Sequence, residues 1–209
     1  MDRQIHRTTA LRAGRSQEGP GIVSLADALS RVRPEKTQIH RVIIAAPAER
    51  IWAAVTDPDW TVRYGFGGRS VIEPRIGGDF TVFAPSGPRR IDSEPQIIIR
   101  GIVTDYTPPT LWGARIRYLG DDNLAAEPET LLRYEIRDRG DGTCALTVIH
   151  DVTDAPLISI IASGDLESEG FGGGYPFMLS DLKSLLETGQ SLPISRPTRK
   201  ADHLDTPTA

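Results

Sequence analysis

The amino-acid sequence predicts an α+β fold in which a curved antiparallel sheet of about six to seven strands wraps around one long C-terminal helix. Short segments rich in β-branched residues follow one another through the middle of the chain, separated by turns that contain Gly and Pro. The last regular segment, 172–189, instead places apolar residues every three or four positions, which is the spacing of a helix with one buried face. Such a helix is expected to bury that face on the sheet.

The first predicted elements are a strand and two short helices. Residues 37–46 contain several β-branched side chains and predict the strand. Pro47 suits the start of a helix, because its missing N–H would have no helical partner there. Asp57 is expected to end this helix and to cap a second one, which carries Trp60 and Tyr64.

Six further strands are predicted, at 70–73, 79–84, 96–106, 111–118, 130–137 and 144–152. Pro108 and Pro109 end the longest of them, because proline cannot donate a hydrogen bond to a sheet. The turn 139–142 joins the last two strands as a hairpin, and 120–129 is predicted to be a polar loop.

The closing helix is predicted between a glycine run and Gly189. Pro176 suits its first turn, and Gly189 suits the left-handed conformation that commonly ends helices. The glycine run 172–174 predicts a hinge that would let the segment 153–171 act as a lid. The apolar stripe consists of Tyr175, Met178, Leu179, Leu182, Leu185 and Leu186. The polar side is predicted to hold Ser180, Asp181, Lys183, Ser184 and Glu187.

Composition divides the chain into three parts. Residues 1–36 carry seven Lys/Arg against four Asp/Glu and predict a largely disordered basic arm, with one short helix at 24–29. Residues 193–209 predict a flexible tail. Since the whole chain carries −4, the excess positive charge of the arm (three) and of the tail (one) leaves −8 for the domain at 37–192. This acidic domain argues against nucleic-acid binding, whereas the arm could contact a protein partner.

Several classes of site have no pattern in the sequence. Cys144 is the single cysteine, so no internal disulfide and no thiolate zinc cluster can form. The start of the chain lacks the apolar core of a secretory signal, and no apolar run is long enough to span a membrane. We therefore expect a cytoplasmic protein. With no phosphate loop, nucleophile elbow or metal-spaced histidine pair, we expect no metal and no cofactor.

Four segments in order resemble the SRPBCC superfamily (START-like, helix-grip), and most closely its branch of homologues of the heat-shock ATPase activator's C-terminal domain. They are the Ala-Pro helix at 46–58, the Pro-Pro corner at 108–111, the Asp-Gly-Thr strand at 141–150 and the closing helix at 175–189. Tyr175 stands where the family usually has Trp. The resemblance covers about 37–192 and implies a helix-grip fold.

That fold implies a cavity between the sheet and the last helix. An apolar cavity suits a small hydrophobic or aromatic ligand, lipid-like or polyketide-like. The alternative is that the same side chains fill the interior as ordinary core. With the alternation of the family, Val42, Ile44 and Leu146 also face inward. The predicted ligand-binding residues are Trp60, Tyr64, Phe66, Leu132, Tyr134, Ile136, Val148, His150, Tyr175, Met178 and Leu182.

Three functions stay open at this point. The leading hypothesis is ligand binding without catalysis, because no catalytic constellation is present. The second is an enzyme: the resemblance to polyketide cyclases implies that His150 and Tyr134 could orient or deprotonate a ligand, although a hydrogen-bonded structural histidine is the alternative. The third is a co-chaperone interaction module, as the name of the branch implies. The oligomeric state is left open.

Overall fold

A computed structural model describes residues 35–85, 95–165, 167 and 172–193. The predicted basic arm, apart from residues 35 and 36, and its short helix at 24–29 lie outside the described residues. So does all but the first residue of the predicted tail.

The strands form one seven-stranded antiparallel sheet in the order β1-β7-β6-β5-β4-β3-β2. Consecutive strands are neighbours except that β1 pairs with β7, so the chain returns to its beginning at one side of the sheet. The predicted sheet is confirmed, with strand ends shifted by at most two residues. Its strands are β1 Thr37–Ile44, β2 Arg69–Ile72, β3 Asp79–Phe83, β4 Ile97–Thr107, β5 Leu111–Tyr118, β6 Thr130–Asp138 and β7 Cys144–Asp151.

Five helices are described, and the two predicted after β1 are confirmed. They are α1 Ala48–Thr56, α2 Pro58–Thr61, α3 Asp122–Ala125, α4 Pro156–Ser163 and α5 Gly174–Thr188. The prediction of a plain loop at 120–129 was wrong in part: the Asp121 side chain caps the single-turn helix α3 by accepting from the backbone N–H of Asn123. The predicted lid segment contains α4.

Helix α5 buries its apolar stripe against the sheet and α1. Leu182 is fully buried and Leu179 nearly so, within one core that also contains Ile44 and Leu146 of the sheet. Gly189 ends the helix in the left-handed conformation, as predicted, with φ +80° and its N–H donating to the carbonyl of Leu185.

Asp181 was predicted to lie on the polar side of α5, but it is fully buried. Its Oδ2 accepts from the backbone N–H of Gly65 at 2.7 Å, and its Oδ1 accepts from the hydroxyl of Ser191 at 2.7 Å. The chain beyond α5 folds back and covers the carboxylate. The prediction failed because helical spacing describes a face of the helix and not what later covers that face.

Gly164, just after α4, and Gly174, the first residue of α5, lie where the end of α4 and the start of α5 approach each other closely. A Cβ on Gly174 would overlap the carbonyl oxygen of Ala162 at the end of α4, and a Cβ on Gly164 would overlap the carbonyl oxygen of Gly173. Gly174 and Gly164 both have positive φ, +53° and +78°. Close approach is therefore one reason for glycine here, and the hinge stays a prediction.

Replacing Gly174 with alanine is expected to lower the free energy of unfolding more than replacing Gly189 does. Both have positive φ, so an added Cβ costs each variant about 1–2 kcal/mol of backbone strain. At Gly174 the new methyl also overlaps α4, at a further cost of about 1–3 kcal/mol. At Gly189 no atom lies within 4 Å of the added Cβ. Urea unfolding measures both variants, and equal losses would contradict a close crossing.

Candidate functional site

A cavity of about 310 Å³ lies on the inner side of the sheet, beneath α4 and α5. Its sheet wall includes Phe80, Ile99, Ile116 and Leu132, from four neighbouring strands. Its helical wall includes Ile161 and Ala162 from α4, and Tyr175 and Met178 from α5. Because most of this lining is aliphatic or aromatic, the space favours apolar contents.

The turn after α2 supplies one end of the cavity, where Phe66 is 54% exposed. Buried Asp181 holds this turn through the N–H of Gly65. A Cβ on Gly65 would lie 2.9 Å from Cγ of Met178, so the turn approaches α5 closely. The buried carboxylate thus fixes the position of the neighbouring Phe66.

The structure brings six of the eleven predicted ligand-binding residues to the cavity and leaves five outside its lining. The six are Tyr64, Phe66, Leu132, Tyr134, Tyr175 and Met178. Ile136, Val148, His150 and Leu182 are buried in the interior away from the lining. Trp60 is half-buried, with the guanidinium of Arg63 over its ring at 4.4 Å. Ligand contact by any of the eleven residues stays a prediction.

Strand β5 contributes lining residues that the sequence prediction did not include. Trp112, Ile116 and Tyr118 lie at even spacing along β5 and line the cavity. Two-residue alternation could have found them, because they share a face of the strand. Tyr134, on the neighbouring strand, stands opposite Trp112. Their rings are stacked, 4.8 Å apart and 9° from parallel.

His150 is fully buried, and each of its ring nitrogens has a partner. Nε2 lies 2.8 Å from Oγ1 of Thr130, and Nδ1 lies 3.1 Å from the hydroxyl of Tyr175. Burial lowers the pKa of His150 to about 4, against a smaller opposing effect of Asp151, so the ring is neutral at pH 7. Since His150 does not line the cavity, its evident role is to hold the hydroxyl of Tyr175, which does.

Four of the five tyrosines of the chain line the cavity: Tyr64, Tyr118, Tyr134 and Tyr175. The hydroxyl of Tyr64 donates to the carbonyl of Ala54 at 3.2 Å, and that of Tyr175 is paired with His150. Burial raises the pKa of Tyr118 to about 12 and the pKa of Tyr134 well above its ordinary value. All four therefore stay protonated at neutral pH.

No Asp, Glu, Lys, Arg or His is among the described residues that line the cavity. Within the described ranges, no group of three or more His, Cys, Asp or Glu side chains could hold a metal ion. None of the helices described is long and apolar enough to cross a membrane. The chemistry available in the cavity is thus apolar contact and hydrogen bonding by hydroxyl groups.

A sheet that wraps a C-terminal helix, with two short helices after the first strand and an apolar cavity beneath the last helix, defines the helix-grip class of domain. The chain belongs to the family of Activator of Hsp90 ATPase homolog 1-like proteins, whose family model matches residues 45–187. This places it in the SRPBCC superfamily and confirms the resemblance seen in the sequence. The search of curated proteins gives no match.

Solved structures share this fold. The protein encoded by gene BPP1335 of Bordetella parapertussis is 20% identical, with 78% of this chain and 80% of that chain covered and a TM-score of 0.54. PFC0360w, an Hsp90 activator from Plasmodium falciparum, is 16% identical, with 73% and 96% covered and a TM-score of 0.51. CalU16 from Micromonospora echinospora is 18% identical, with 80% and 74% covered and a TM-score of 0.51. At these identities the likeness shows the fold alone.

Burial of a neutral His150 predicts that acid destabilises the protein. Its folded pKa of about 4 lies below the ordinary 6.5, so between these values the unfolded chain binds the proton and the folded chain does not. Stability that is present above pH 6.5 is therefore lost as the pH falls towards 4. From pH 7.5 to pH 5 the loss is about 2 kcal/mol from this group.

Denaturant unfolding of wild-type protein and His150→Gln at the two pH values measures this loss. The variant keeps every other titrating group, so its loss is expected to be smaller by about 2 kcal/mol. Equal losses in the two proteins would show that His150 does not carry the effect.

Proposed function

We propose that this protein binds an uncharged, hydrophobic small molecule, largely aromatic, in the cavity beneath α5, without chemistry of its own. The single observation that carries the proposal is a preformed cavity of about 310 Å³ with apolar walls and without a charged lining residue among those described. That volume lies at the lower end of the range of about 300–1,000 Å³ that is typical of small-molecule sites.

The size of the space supports binding over a plain core. Protein interiors are close-packed, and voids larger than a water molecule are few, because the side chains around a void lose their van der Waals contacts. Large side chains such as Trp112, Tyr134 and Phe80 surround this space without filling it. A ligand that fills it would recover those contacts.

The distribution of polar groups supports binding without catalysis. The histidine that could act as a base has both ring nitrogens engaged and lies outside the lining. The tyrosine hydroxyls stay protonated at neutral pH, so they can donate hydrogen bonds but are poor bases. These groups suit orientation of a ligand more than proton abstraction from it.

The enzyme and co-chaperone hypotheses stay predictions. The description of the family, and that of the Plasmodium falciparum protein, favour an interaction with an Hsp90-type ATPase as the second candidate. Addition of the purified chain to such an ATPase tests it: a saturable rise in ATP hydrolysis would favour the interaction module over a ligand carrier.

Filling the cavity is expected to abolish binding of a neutral fluorescent probe. Ala162 lines the cavity from α4, and the ring of an Ala162→Phe variant would occupy the space that a ligand needs. We expect 1-aminoanthracene to bind wild-type protein saturably and Ala162→Phe at least ten-fold more weakly, since excluded contacts cost at least about 1.4 kcal/mol.

The matched control makes the same substitution at Ala126, an exposed residue after α3 that is not part of the lining, and is expected to bind like wild type. Melting temperatures establish that both variants are folded. Equal binding by wild type and a folded Ala162→Phe would place the probe elsewhere, and no saturable binding to wild type would remove the proposed function.

A further inference from the structure

Two tyrosine hydroxyls of the cavity have no hydrogen-bond partner among the described residues, whereas the other two do. The hydroxyl of Tyr64 donates to the carbonyl of Ala54, and the hydroxyl of Tyr175 is paired with Nδ1 of His150. Tyr118 and Tyr134 line the same cavity, and neither hydroxyl makes a hydrogen bond within the described part of the chain. Buried polar groups in proteins are nearly always paired, with protein, ligand or ordered water. Since neither hydroxyl is among the buried atoms without a partner, both are accessible donors, and a molecule in the cavity can supply their acceptor.

Tyr118 and Tyr134 line the cavity from two neighbouring strands, β5 and β6. Tyr134 stands opposite Trp112 in the pairing of β5 with β6, and Tyr118 lies six residues further along β5. Their side chains nevertheless come within electrostatic reach, since ionisation of Tyr118 would raise the pKa of Tyr134. A single group in the middle of the cavity could accept from both.

The wall beside these hydroxyls is aromatic. The ring of Trp112 is stacked on Tyr134, and the ring of Phe80 packs against the indole with centroids 5.3 Å apart and planes tilted by 56°. Aromatic rings favour offset-stacked or edge-on contacts with other rings. The indole N–H of Trp112 is itself buried without a hydrogen-bond partner, a third donor in this region.

Charge and donor type restrict the molecule that fits. No cationic or anionic side chain is among the described lining residues, so a charged group would lose its hydration without a counter-charge. The hydroxyls stay protonated, so they offer donors. What complements them is an oxygen acceptor on an uncharged molecule.

We infer that the cavity takes uncharged planar aromatic ketones or quinones, whose carbonyl oxygen accepts hydrogen bonds from the hydroxyls of Tyr118 and Tyr134. This inference rests on the proposed function, since it names the class of ligand for the same cavity. The rings pack on the aromatic wall, and the carbonyl pairs the two donors that the described chain leaves without an acceptor.

The test compares 9-fluorenone with fluorene, two probes of nearly equal size that differ by a carbonyl in place of a methylene. Isothermal titration or fluorescence gives the affinity of each for wild-type protein, Tyr118→Phe and Tyr134→Phe. The carbonyl stretch of bound fluorenone, measured by infrared difference spectroscopy, reports hydrogen bonds to the oxygen directly. Tyr106 is the one tyrosine outside the lining, so Tyr106→Phe is the matched control.

Wild-type protein is expected to bind fluorenone at least ten-fold more tightly than fluorene, with a lowered carbonyl frequency. Tyr118→Phe and Tyr134→Phe are each expected to weaken fluorenone about three- to ten-fold, to raise the carbonyl frequency, and to leave fluorene unchanged. Tyr106→Phe is expected to keep the wild-type ratio.

Equal wild-type affinity for the two probes would overturn this inference and leave the proposed function standing. An unchanged ratio and unchanged carbonyl frequency in both cavity variants would also overturn it, and would assign the hydroxyls to bound water. Saturable binding of neither probe would remove both proposals.

Discussion

The architecture depends on burying the apolar stripe of α5 against the inner face of the sheet. Leu182 and Leu179 enter one core with residues of β1 and β7, and α5 makes its most extensive contacts with the β1 side of the sheet. A single helix is narrower than a seven-stranded sheet. The cavity lies over the rest of the inner face, from β3 to β6, and α4 and the turn after α2 contribute to its other walls.

Two polar clusters set the position of the groups around that cavity. Asp181 accepts from Gly65 and Ser191, which joins α5 to the turn that carries Phe66 and to the chain beyond the helix. His150 holds the hydroxyl of Tyr175 against Thr130. Buried polar groups with full sets of partners are rigid and directional, so these clusters fix geometry that apolar contacts alone would leave adjustable. The cavity is in this sense preorganised.

The unpaired donors stand out against this background. The protein pairs the hydroxyls of Tyr64 and Tyr175, yet leaves those of Tyr118 and Tyr134 facing an apolar space. Membership of a family described by ATPase activation does not by itself account for such a cavity, because activation of a partner needs an outer surface.

The sequence by itself determined the seven strands, the helices α1, α2 and α5, their order, and the inward side of β1, β6 and β7. Periodicity and turn residues are local signals, so the strands, α1, α2 and the Gly189 end of α5 could be predicted. Only the tertiary structure decided whether an inward-facing side chain is buried in the core or lines the cavity. Val148 and Leu132 both occupy inward-facing positions of their strands, yet Val148 is buried in the core and Leu132 lines the cavity. The burial of Asp181 and the unpaired state of Tyr118 depend on which distant segments lie above them, and no local pattern records that.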